Sequence, residues 1–272
     1  MASLTDIGVN LMSPAFDGDR EAVIARARDA GVHTLIITGS SIESSIAAAA
    51  FARTKCNTNS NTNCMTTAGV HPHNAKDWDA AALARLRELV AQMAHIVAIG
   101  ECGLDYNRNF SPPHAQRKCF EDQLALAAQL GKPVFLHERD AFDDFVSILR
   151  KYRANLPGAV VHCFTGNQAE LEAYRELDCY IGITGWVCDE RRGAHLSLLL
   201  PRIPADRLLL ETDAPYLLPR NLPRNLRGKS SRNEPCFLPH VAACVAEIVR
   251  KTPDQLAEET GANVRRLFGI SA

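Results

Sequence analysis

Eight short apolar segments, separated by longer amphipathic ones, constrain what this 272-residue chain can fold into. None is longer than eight residues, and each is rich in valine, isoleucine or leucine with little alternation of polar and apolar positions. The segments are Leu4–Leu11, His33–Gly39, Met65–Val70, Ile96–Glu101, Pro133–His137, Ala159–Phe164, Cys179–Gly185 and Arg207–Thr212. Because continuous apolar character is typical of strands that are covered on both faces, the sequence predicts a parallel sheet.

The segments between these strands place apolar residues at helical spacing. The predicted helices are Asp19–Ala30, Ile42–Arg53, Ala80–Met93, Pro113–Leu130, Ala141–Tyr152, Gln168–Leu177, Asp189–Leu199, Leu238–Arg250 and Pro253–Phe268. Eight strand–helix repeats favour an α/β fold of the closed (β/α)8 TIM-barrel type, in one domain spanning residues 1–272. An open, doubly wound sheet is the alternative, but the first loop, Asn10-Leu11-Met12-Ser13, lacks a glycine-rich dinucleotide-binding pattern.

Composition limits the partners and the environment of the chain. The net charge of −1 provides no general attraction for a polyanion, so phosphate binding must come from local basic patches or a metal ion. The amino terminus lacks a signal-peptide pattern, and no apolar run approaches the roughly 20 residues that span a bilayer. We therefore expect a cytoplasmic monomer with nine reduced cysteines and no membrane partner. Cys56 and Cys64 flank a polar loop but lack the second ligand pair of a zinc site.

Polar residues that can bind metals end five of the eight predicted strands. They are His71 and His73 after the third strand, Glu101 and Asp105 after the fourth, His137 after the fifth, His162 after the sixth and Asp213 after the eighth. Active sites in (β/α)8 barrels lie at the carboxyl ends of the strands, so these side chains should converge on one rim. We expect Asp105 to orient the loop that follows its strand.

Four of these residues, Glu101, His137, His162 and Asp213, are the predicted metal ligands. Carboxylates and imidazoles together suit Mg²⁺, Mn²⁺ or Zn²⁺. A bound cation lowers the pKa of water towards neutrality, and a nearby carboxylate can then accept its proton. Glu101 and Asp213 are therefore the predicted catalytic residues, with Asp213 in the role of the base.

Basic and aromatic residues near the same rim predict a phosphate- and base-binding surface. The candidates for substrate binding are His71, His73, Arg139, Arg191 and Arg232. Further arginines, Arg192, Arg220, Arg224 and Arg227, lie in the loops after the seventh and eighth strands, where a solvated charged loop is the alternative explanation. The aromatic candidates for stacking, Tyr106, Phe110, Trp186 and Tyr216, could each serve in packing instead.

The motifs at these strand ends resemble those of the TatD family of metal-dependent deoxyribonucleases. They are Thr67-Ala68-Gly69-Val70-His71-Pro72-His73, Gly100-Glu101-Cys102-Gly103-Leu104-Asp105, Leu136-His137-Glu138-Arg139-Asp140, Val161-His162-Cys163-Phe164-Thr165-Gly166 and Glu211-Thr212-Asp213-Ala214-Pro215-Tyr216. The resemblance covers nearly the whole chain. It implies a TIM-barrel hydrolase that depends on a divalent metal and acts as a 3′→5′ exonuclease, chiefly on single-stranded DNA with RNA as a further substrate. It also implies a role in DNA degradation or repair, with the four predicted ligands at the family's metal and catalytic positions.

The first strand departs from the family pattern. Most members begin with D-x-H-x-H, but here Gly8 and Asn10 replace both histidines while Asp6 remains. Asp6 and Asn10 are therefore candidates for a second metal or for supporting the first, and the oxygen-rich character favours Mg²⁺ over Mn²⁺ or Zn²⁺. Two other functions stay open: an amide or ester hydrolase such as a D-aminoacyl-tRNA deacylase, and a nucleic-acid-binding barrel without catalytic activity.

Overall fold

Eight parallel strands form a barrel in the computed structural model, which describes residues 3–56, 62–227 and 231–270. The strands are β1 (Leu4–Val9), β2 (Val32–Ile37), β3 (Asn63–Ala68), β4 (Ile96–Asp105), β5 (Val134–Arg139), β6 (Ala159–Val161), β7 (Tyr180–Ile183) and β8 (Leu208–Leu210). Each strand pairs in parallel with the next one along the chain. Each of the eight predicted apolar segments therefore overlaps a strand.

Backbone contacts just beyond the end of β8 close the seam between β8 and β1. The backbone N–H of Asp213 donates to the Gly8 carbonyl at 2.9 Å, and the N–H of Asn10 donates to the Ala214 carbonyl at 2.8 Å. Val9 and Ala214 form a parallel bridge between these two bonds. The prediction of a (β/α)8 barrel is therefore confirmed, and the closed seam places Asn10 beside Asp213.

Helices connect the strands and surround the barrel. They are α1 (Arg20–Asp29), α2 (Ile42–Phe51), α3 (Ala80–Gln92), α4 (Pro113–Leu130), α5 (Phe142–Tyr152), α6 (Gln168–Glu176), α7 (Leu196–Leu199), α8 (Arg224–Arg227), α9 (Leu238–Ile248) and α10 (Pro253–Phe268). Side-chain oxygens of Ser41, Asp79, Asn167 and Thr252 accept hydrogen bonds from the first turns of α2, α3, α6 and α10. These caps satisfy backbone donors that a helix cannot pair internally.

Two apolar layers stabilise the barrel. Successive strand residues point to opposite faces, so one set fills the interior, including Ile7, Ile36, Phe135 and Leu209, while the other set packs beneath the helices. The last turn of α10 joins the interior set, and its Leu267 packs beside the residue that precedes β6. That end of the barrel is therefore filled, and the carboxyl ends of the strands form the rim at which the predicted ligands lie.

One predicted helix is wrong in most of its extent. The segment Asp189–Leu199 was expected to be helical, but α7 contains only its last four residues. Asp189 has an extended backbone, and its side chain accepts a hydrogen bond from the N–H of Arg191. Gly193 then turns so closely against the Trp186 carbonyl oxygen that a Cβ atom there would overlap it. This side-chain competition for backbone donors explains why the segment starts as a turn.

The cysteines differ in one respect from the expectation that all are reduced. Among the described residues, seven cysteines are free thiols, whereas Cys64 is disulfide-bonded. The side chain of Cys56 and the polar loop that follows it lie outside the described residues. Within the described part of the chain, none of the helices is both long enough and apolar enough to cross a membrane.

Candidate metal centre and active site

The carboxylate of Glu101 is the centre of a cluster of imidazoles at the carboxyl ends of β4, β5 and β6. Its Oε1 atom lies 2.9 Å from His137 Nδ1 and 2.8 Å from His162 Nε2. The two ring nitrogens are 3.4 Å from one another. Glu101 and His162 are only 6% and 5% exposed, so water does not screen this cluster strongly. The structure thus brings three of the four predicted ligands together.

His71 is a fourth member of this cluster. Its Nε2 atom lies 3.4 Å from Glu101 Oε1, and its ring packs edge-on against His137 with 4.4 Å between the ring centroids. The donor atoms of His71, Glu101 and His137 all lie within 4.8 Å of one another. His71 was predicted to bind substrate, but the structure places it where a metal ligand could lie.

The cluster fits a divalent cation. Two ligand atoms that bind one cation at about 2.1 Å lie roughly 3.0–3.4 Å apart, depending on the angle between the bonds. The distances from Glu101 to its three imidazoles are close to that range. A buried carboxylate with several imidazoles is also a donor set that suits Mn²⁺, Zn²⁺ and, with water, Mg²⁺. Glu101, His137 and His162 are therefore able to hold a metal ion.

A second carboxylate lies behind each of the two central imidazoles. His137 Nε2 is 3.6 Å from Asp105 Oδ2, and His162 Nδ1 is 3.4 Å from Glu211 Oε2. Three of these atoms, His137 Nε2, His162 Nδ1 and Glu211 Oε2, are buried and have no hydrogen-bond partner among the described residues. A carboxylate behind a metal-binding histidine orients the ring and makes it a stronger ligand. The arrangement aims His137 Nδ1 and His162 Nε2 at Glu101.

The pKa values within the cluster reflect this crowding. Burial raises the pKa of Glu101, but His71, His162 and the hydrogen bonds from His137 and His162 outweigh burial and hold it well below its ordinary value. Burial opposes protonation of His162, yet the charges of Glu101 and Glu211 hold its pKa well above the usual range. Burial lowers the pKa of His71 to about 4. A cation that binds here would release protons from imidazoles, so its affinity should rise with pH.

Asp213 lies at the other side of the rim, at the seam between β8 and β1. Its Oδ1 atom accepts a hydrogen bond from Asn10 Nδ2 at 2.8 Å. Burial raises its pKa to about 7; His162 opposes this shift, while the Glu101 and Glu211 carboxylates add to it. Asp213 also has a φ of +55°, a conformation that costs energy in residues other than glycine and is enriched at functional sites. Its position and pKa suit a general base.

Asp6 points towards β8. Its Oδ1 atom accepts hydrogen bonds from the backbone N–H groups of Thr212 at 2.9 Å and Gly8 at 3.2 Å, and Oδ2 accepts one from Thr212 Oγ1. Both oxygens are therefore engaged in holding the β1–β8 seam. Asp6 is in position to support the site through Thr212, whereas Asn10 contacts Asp213 directly.

Glu211 explains why the first strand carries a glycine at position 8. A Cβ atom on Gly8 would overlap Glu211 Oε2, and one on Gly182 would lie 2.6 Å from Oε1. The Glu211 carboxylate therefore fills space that a first-strand histidine would need. It is completely buried, and its Oε1 accepts a hydrogen bond from the Cys163 N–H. Glu211 was not among the predicted site residues, although a carboxylate at the end of the eighth apolar segment was the available signal.

The remaining substrate candidates lie in different surroundings. His73 Nε2 bonds to Asp105 Oδ2 at 2.8 Å and borders the cluster. Asp105 also accepts a hydrogen bond from the Arg108 N–H, in agreement with its predicted role in orienting the loop. Arg139 is exposed and lines a cavity that reaches His162. Arg191 is exposed beside Asp189, in the turn after β7.

Arg232 does not fit the predicted role in substrate binding. Its guanidinium group pairs with Asp19 at 2.8 Å and with Glu234 at 2.6 Å, and it donates to the Ala15 carbonyl. It also stacks over Phe16 at 4.9 Å. These two carboxylates already neutralise the arginine, so it fastens the long loop after β8 to the start of α1.

A (β/α)8 barrel that gathers imidazoles and carboxylates around a cation-binding position at this rim has the fold and the site of a metal-dependent hydrolase. Comparison with known families defines the class further. A family model described as TatD related DNase matches residues 5–269. The chain therefore belongs to the TatD family of deoxyribonucleases.

Individual relatives agree with this assignment. The chain is 55% identical over 263 residues to the 3′-5′ ssDNA/RNA exonuclease TatD of Cronobacter sakazakii, covering 97% of each protein. It is 52% identical over 268 residues to the protein of the same name from Edwardsiella piscicida, covering 98% of this chain and all of the relative. The crystal structure of a TatD homologue from Escherichia coli superimposes with a TM-score of 0.88 at 27% identity, covering 98% of both chains.

Proposed function

We propose that this enzyme is a Mg²⁺-dependent exonuclease that removes nucleotides from the 3′ ends of single-stranded DNA and RNA. The observation that carries the proposal is the convergence of three imidazoles on the buried Glu101 carboxylate, at the catalytic rim of a TatD-family barrel. The curated relatives are named as exonucleases on the same two substrates. Their full-length similarity supports transfer of that activity to this chain.

Glu101, His137 and His162 would hold the cation, with His71 at the edge of the cluster. When bound, a divalent cation lowers the pKa of water and offsets the negative charge of the phosphodiester. Asn10 and Asp213 add oxygen atoms on the β1–β8 side. Hard oxygen donors suit Mg²⁺, and Mn²⁺ accepts oxygen and imidazole ligands alike. We therefore expect Mg²⁺ and Mn²⁺ to support activity better than Zn²⁺.

Asp213 would accept the proton of the attacking water. A general base works best when its pKa lies near the working pH, and burial raises the pKa of Asp213 to about 7. The Asn10 amide holds one carboxylate oxygen at 2.8 Å, so the other oxygen is available for the proton. Most family members would have a histidine ligand at position 10. In this chain Asn10 would instead orient the Asp213 carboxylate through a hydrogen bond.

The substrate would occupy a polar cavity beside the metal cluster. The cavity has a volume of about 450 Å³ and is lined by residues that include Asn107, Arg139, His162 and His195. This volume lies within the range of about 300–1,000 Å³ that is typical of small-ligand sites, so a terminal nucleotide could fit. Arg139 is the last residue of β5 and lies at the same rim, and its guanidinium group is suited to contact a phosphate.

Two exposed aromatic side chains flank the active site and suit stacking against bases. Phe110 is 59% exposed, and its ring packs edge-on against His73 with 4.8 Å between centroids. Tyr216 is 58% exposed and lies three residues after Asp213. Such surfaces bind unpaired bases without sequence preference, because every base has a flat aromatic face. A duplex would keep its bases stacked on each other, so these residues favour single strands.

The proposal is tested with 5′-labelled single-stranded DNA and RNA oligonucleotides incubated with Mg²⁺. Products that shorten progressively from the 3′ end are expected, and a 3′-terminal phosphorothioate block should slow them. Asp213→Asn should reduce the rate by about 10²–10⁴-fold, the usual effect of removing a general base. Asp29→Asn, which changes an exposed carboxylate on α1, is the matched control and should leave the rate unchanged.

The same protein should be offered aminoacyl-tRNA carrying D-amino acids and simple cyclic amides. Hydrolysis of either substrate without shortening of the oligonucleotides would replace the exonuclease with an amide or ester hydrolase. Oligonucleotide binding without turnover under any divalent metal would instead support a barrel that only binds nucleic acid.

A further inference from the structure

Two cysteines and a histidine meet away from the rim cluster, between the loop after β7 and helix α9. Cys188 ends a short 3-10 helix, Gly185–Cys188, whereas His240 and Cys244 lie one turn apart on α9. Residues four apart share a face of a helix, so both α9 side chains point towards Cys188. One donor atom from each of the three residues lies within 4.8 Å of the other two.

The spacing of these donors is close to that of a bound metal. Cys244 Sγ is 4.0 Å from His240 Nε2. In a tetrahedral zinc site, with bonds of about 2.3 Å to sulfur and 2.0 Å to nitrogen, these atoms would be roughly 3.5 Å apart. A shift of about half an ångström would bring this pair of atoms to that spacing. Cys188 is almost fully buried, and the other two residues are half-buried, so one side remains open to solvent.

Asn221, in the long loop after β8, lies over this open side. Its Oδ1 atom is 2.7 Å from His240 Nε2, and its Nδ2 atom is 3.7 Å from Cys244 Sγ. An amide oxygen in this position could act as a fourth ligand or hold a water molecule that does so. The candidate site therefore combines residues from three chain segments: the loop after β7, the loop after β8 and α9.

We propose that Cys188, His240 and Cys244 form a second metal site that binds Zn²⁺, with Asn221 at the fourth position. Thiolates and an imidazole are ligands that Zn²⁺ prefers and Mg²⁺ avoids, whereas the rim cluster offers a carboxylate with its imidazoles. The two sites would therefore bind different ions from the same solution. This inference does not depend on the exonuclease activity.

A metal at this site would join the two loops that border the substrate surface. Trp186 lies two residues before Cys188, and Arg220 lies next to Asn221; both line a small cavity of about 170 Å³ together with Arg192. Arg192 stacks over Trp186 at 5.8 Å. Tying Cys188 to α9 would fix this basic and aromatic surface in place. The role expected from the geometry is structural, because three protein ligands and Asn221 surround the position.

The experiment loads the full-length, reduced and metal-free protein with Co²⁺ in the presence of excess Mg²⁺. Cobalt bound by thiolates absorbs in the near ultraviolet through sulfur-to-metal charge transfer, a signal that the carboxylate and imidazoles of the rim cluster cannot give. We expect this band to saturate at one equivalent and to disappear when one equivalent of Zn²⁺ displaces the cobalt. Cys188→Ala, His240→Ala and Cys244→Ala should each weaken Co²⁺ binding by at least about tenfold.

Two matched variants test whether the signal comes from this site. Cys236→Ala removes a half-buried free thiol just before α9, and Cys163→Ala removes the thiol next to His162. Both should keep the full band. The proposal is overturned if the wild-type protein shows no thiolate band, or if the band survives in Cys244→Ala and vanishes in Cys163→Ala. Recovery of a Cys188–Cys244 disulfide from protein purified without oxygen and under reductant would also overturn it.

Discussion

The two sides of the active-site rim carry opposite electrostatic environments. On the β4–β6 side, Glu101 is surrounded by three imidazoles, and its pKa is held well below the ordinary value. On the β1–β8 side, Asp6, Glu211 and Asp213 lie together without an imidazole from the first strand. Burial, opposed by hydrogen bonds from Thr212 and Gly8, raises the pKa of Asp6 to about 7, and the pKa of Asp213 is raised to a similar value.

In the proposed function, this difference gives the two sides separate tasks. Imidazoles around an ionised carboxylate form a site that holds a cation, because charge and ligand atoms are already in place. Crowded carboxylates without such partners retain protons near neutral pH, which suits proton transfer. In the proposed function, the β4–β6 side would hold the cation, and the β1–β8 seam would provide the acid–base chemistry.

The difference between the two sides is tested most directly by Glu101→Gln, which keeps the shape of the side chain but removes its charge. We expect loss of detectable Mn²⁺ binding by calorimetry and a fall in exonuclease rate of about 10³-fold or more, because both metal-facing imidazoles lose their shared partner. Glu176→Gln, an exposed position on α6, is the matched control. Unchanged Mn²⁺ affinity in Glu101→Gln would show that the cation binds on the β1–β8 side instead.

The excess of carboxylates at the seam predicts a second effect, on stability. The folded-state pKa of Asp6 lies near 7, against 3.8 for a free side chain. Below about pH 4 both states are protonated, and between pH 4 and 7 the folded state keeps a proton that the unfolded state has lost. Stability should therefore fall as pH rises through this window, by up to about 4 kcal/mol from this residue.

Asp6→Asn should remove that dependence. Its amide can still pair with the Thr212 hydroxyl and accept from the backbone, so the seam should stay closed. Urea unfolding of the metal-free proteins should show the variant gaining stability relative to wild type between pH 4 and pH 8. A constant difference across this range would mean that Asp6 stays ionised in the folded protein, and that the two sides of the rim are more alike than their surroundings indicate.

The barrel could be predicted from the sequence because its evidence is local and repeated. The apolar composition of each segment indicates that the segment is buried. Eight repeats of strand and helix are compatible with few folds. Glu101, His137 and His162 could be predicted for the same reason: each ends an apolar segment, and the ends of parallel strands meet. The helix predicted over Asp189–Leu199 was wrong because the spacing of apolar residues carries no information about hydrogen bonds from side chains. Here the Asp189 side chain accepts a backbone N–H and competes with helix formation.

Other parts of the site depend on contacts between distant segments. Glu211 fills the space left at Gly8, a relation between strands that are far apart in the sequence and neighbours only after the barrel closes. Arg232 was predicted to bind phosphate, but in the folded chain it pairs with Asp19 and Glu234. The proposed zinc ligands could not be predicted for the same reason, since α7, β8 and α8 lie between Cys188 and His240 in the sequence. Pairing across the fold, rather than residue type, decides such roles.

Glu211→Gln tests whether a carboxylate of the β1–β8 side supports metal binding on the β4–β6 side. Glu211 belongs to the β1–β8 side, but its Oε2 atom lies 3.4 Å from His162 Nδ1, so it is placed to orient a proposed metal ligand of the β4–β6 side. Loss of a carboxylate behind a metal-binding histidine typically lowers metal affinity by about 10–100-fold. We expect that loss in Mn²⁺ titrations, with activity restored at high Mn²⁺. Activity that stays low at saturating metal would place Glu211 in the chemical step instead.

Gly8→Ala is the mildest test, because it adds one methyl group to the seam. That methyl would overlap Glu211 Oε2, and the carboxylate has little room to move because Cys163 and Gly182 confine it. We expect a loss of about 1–2 kcal/mol in the free energy of unfolding, as is usual for an overfilled core, and a small decrease in Mn²⁺ affinity as Glu211 turns from His162. Gly18→Ala, where a Cβ atom meets nothing within 4 Å, should show neither change. If Gly8→Ala matched Gly18→Ala in both measurements, the Glu211 carboxylate would not be what excludes a first-strand side chain, and the division of the rim into two sides would need another cause.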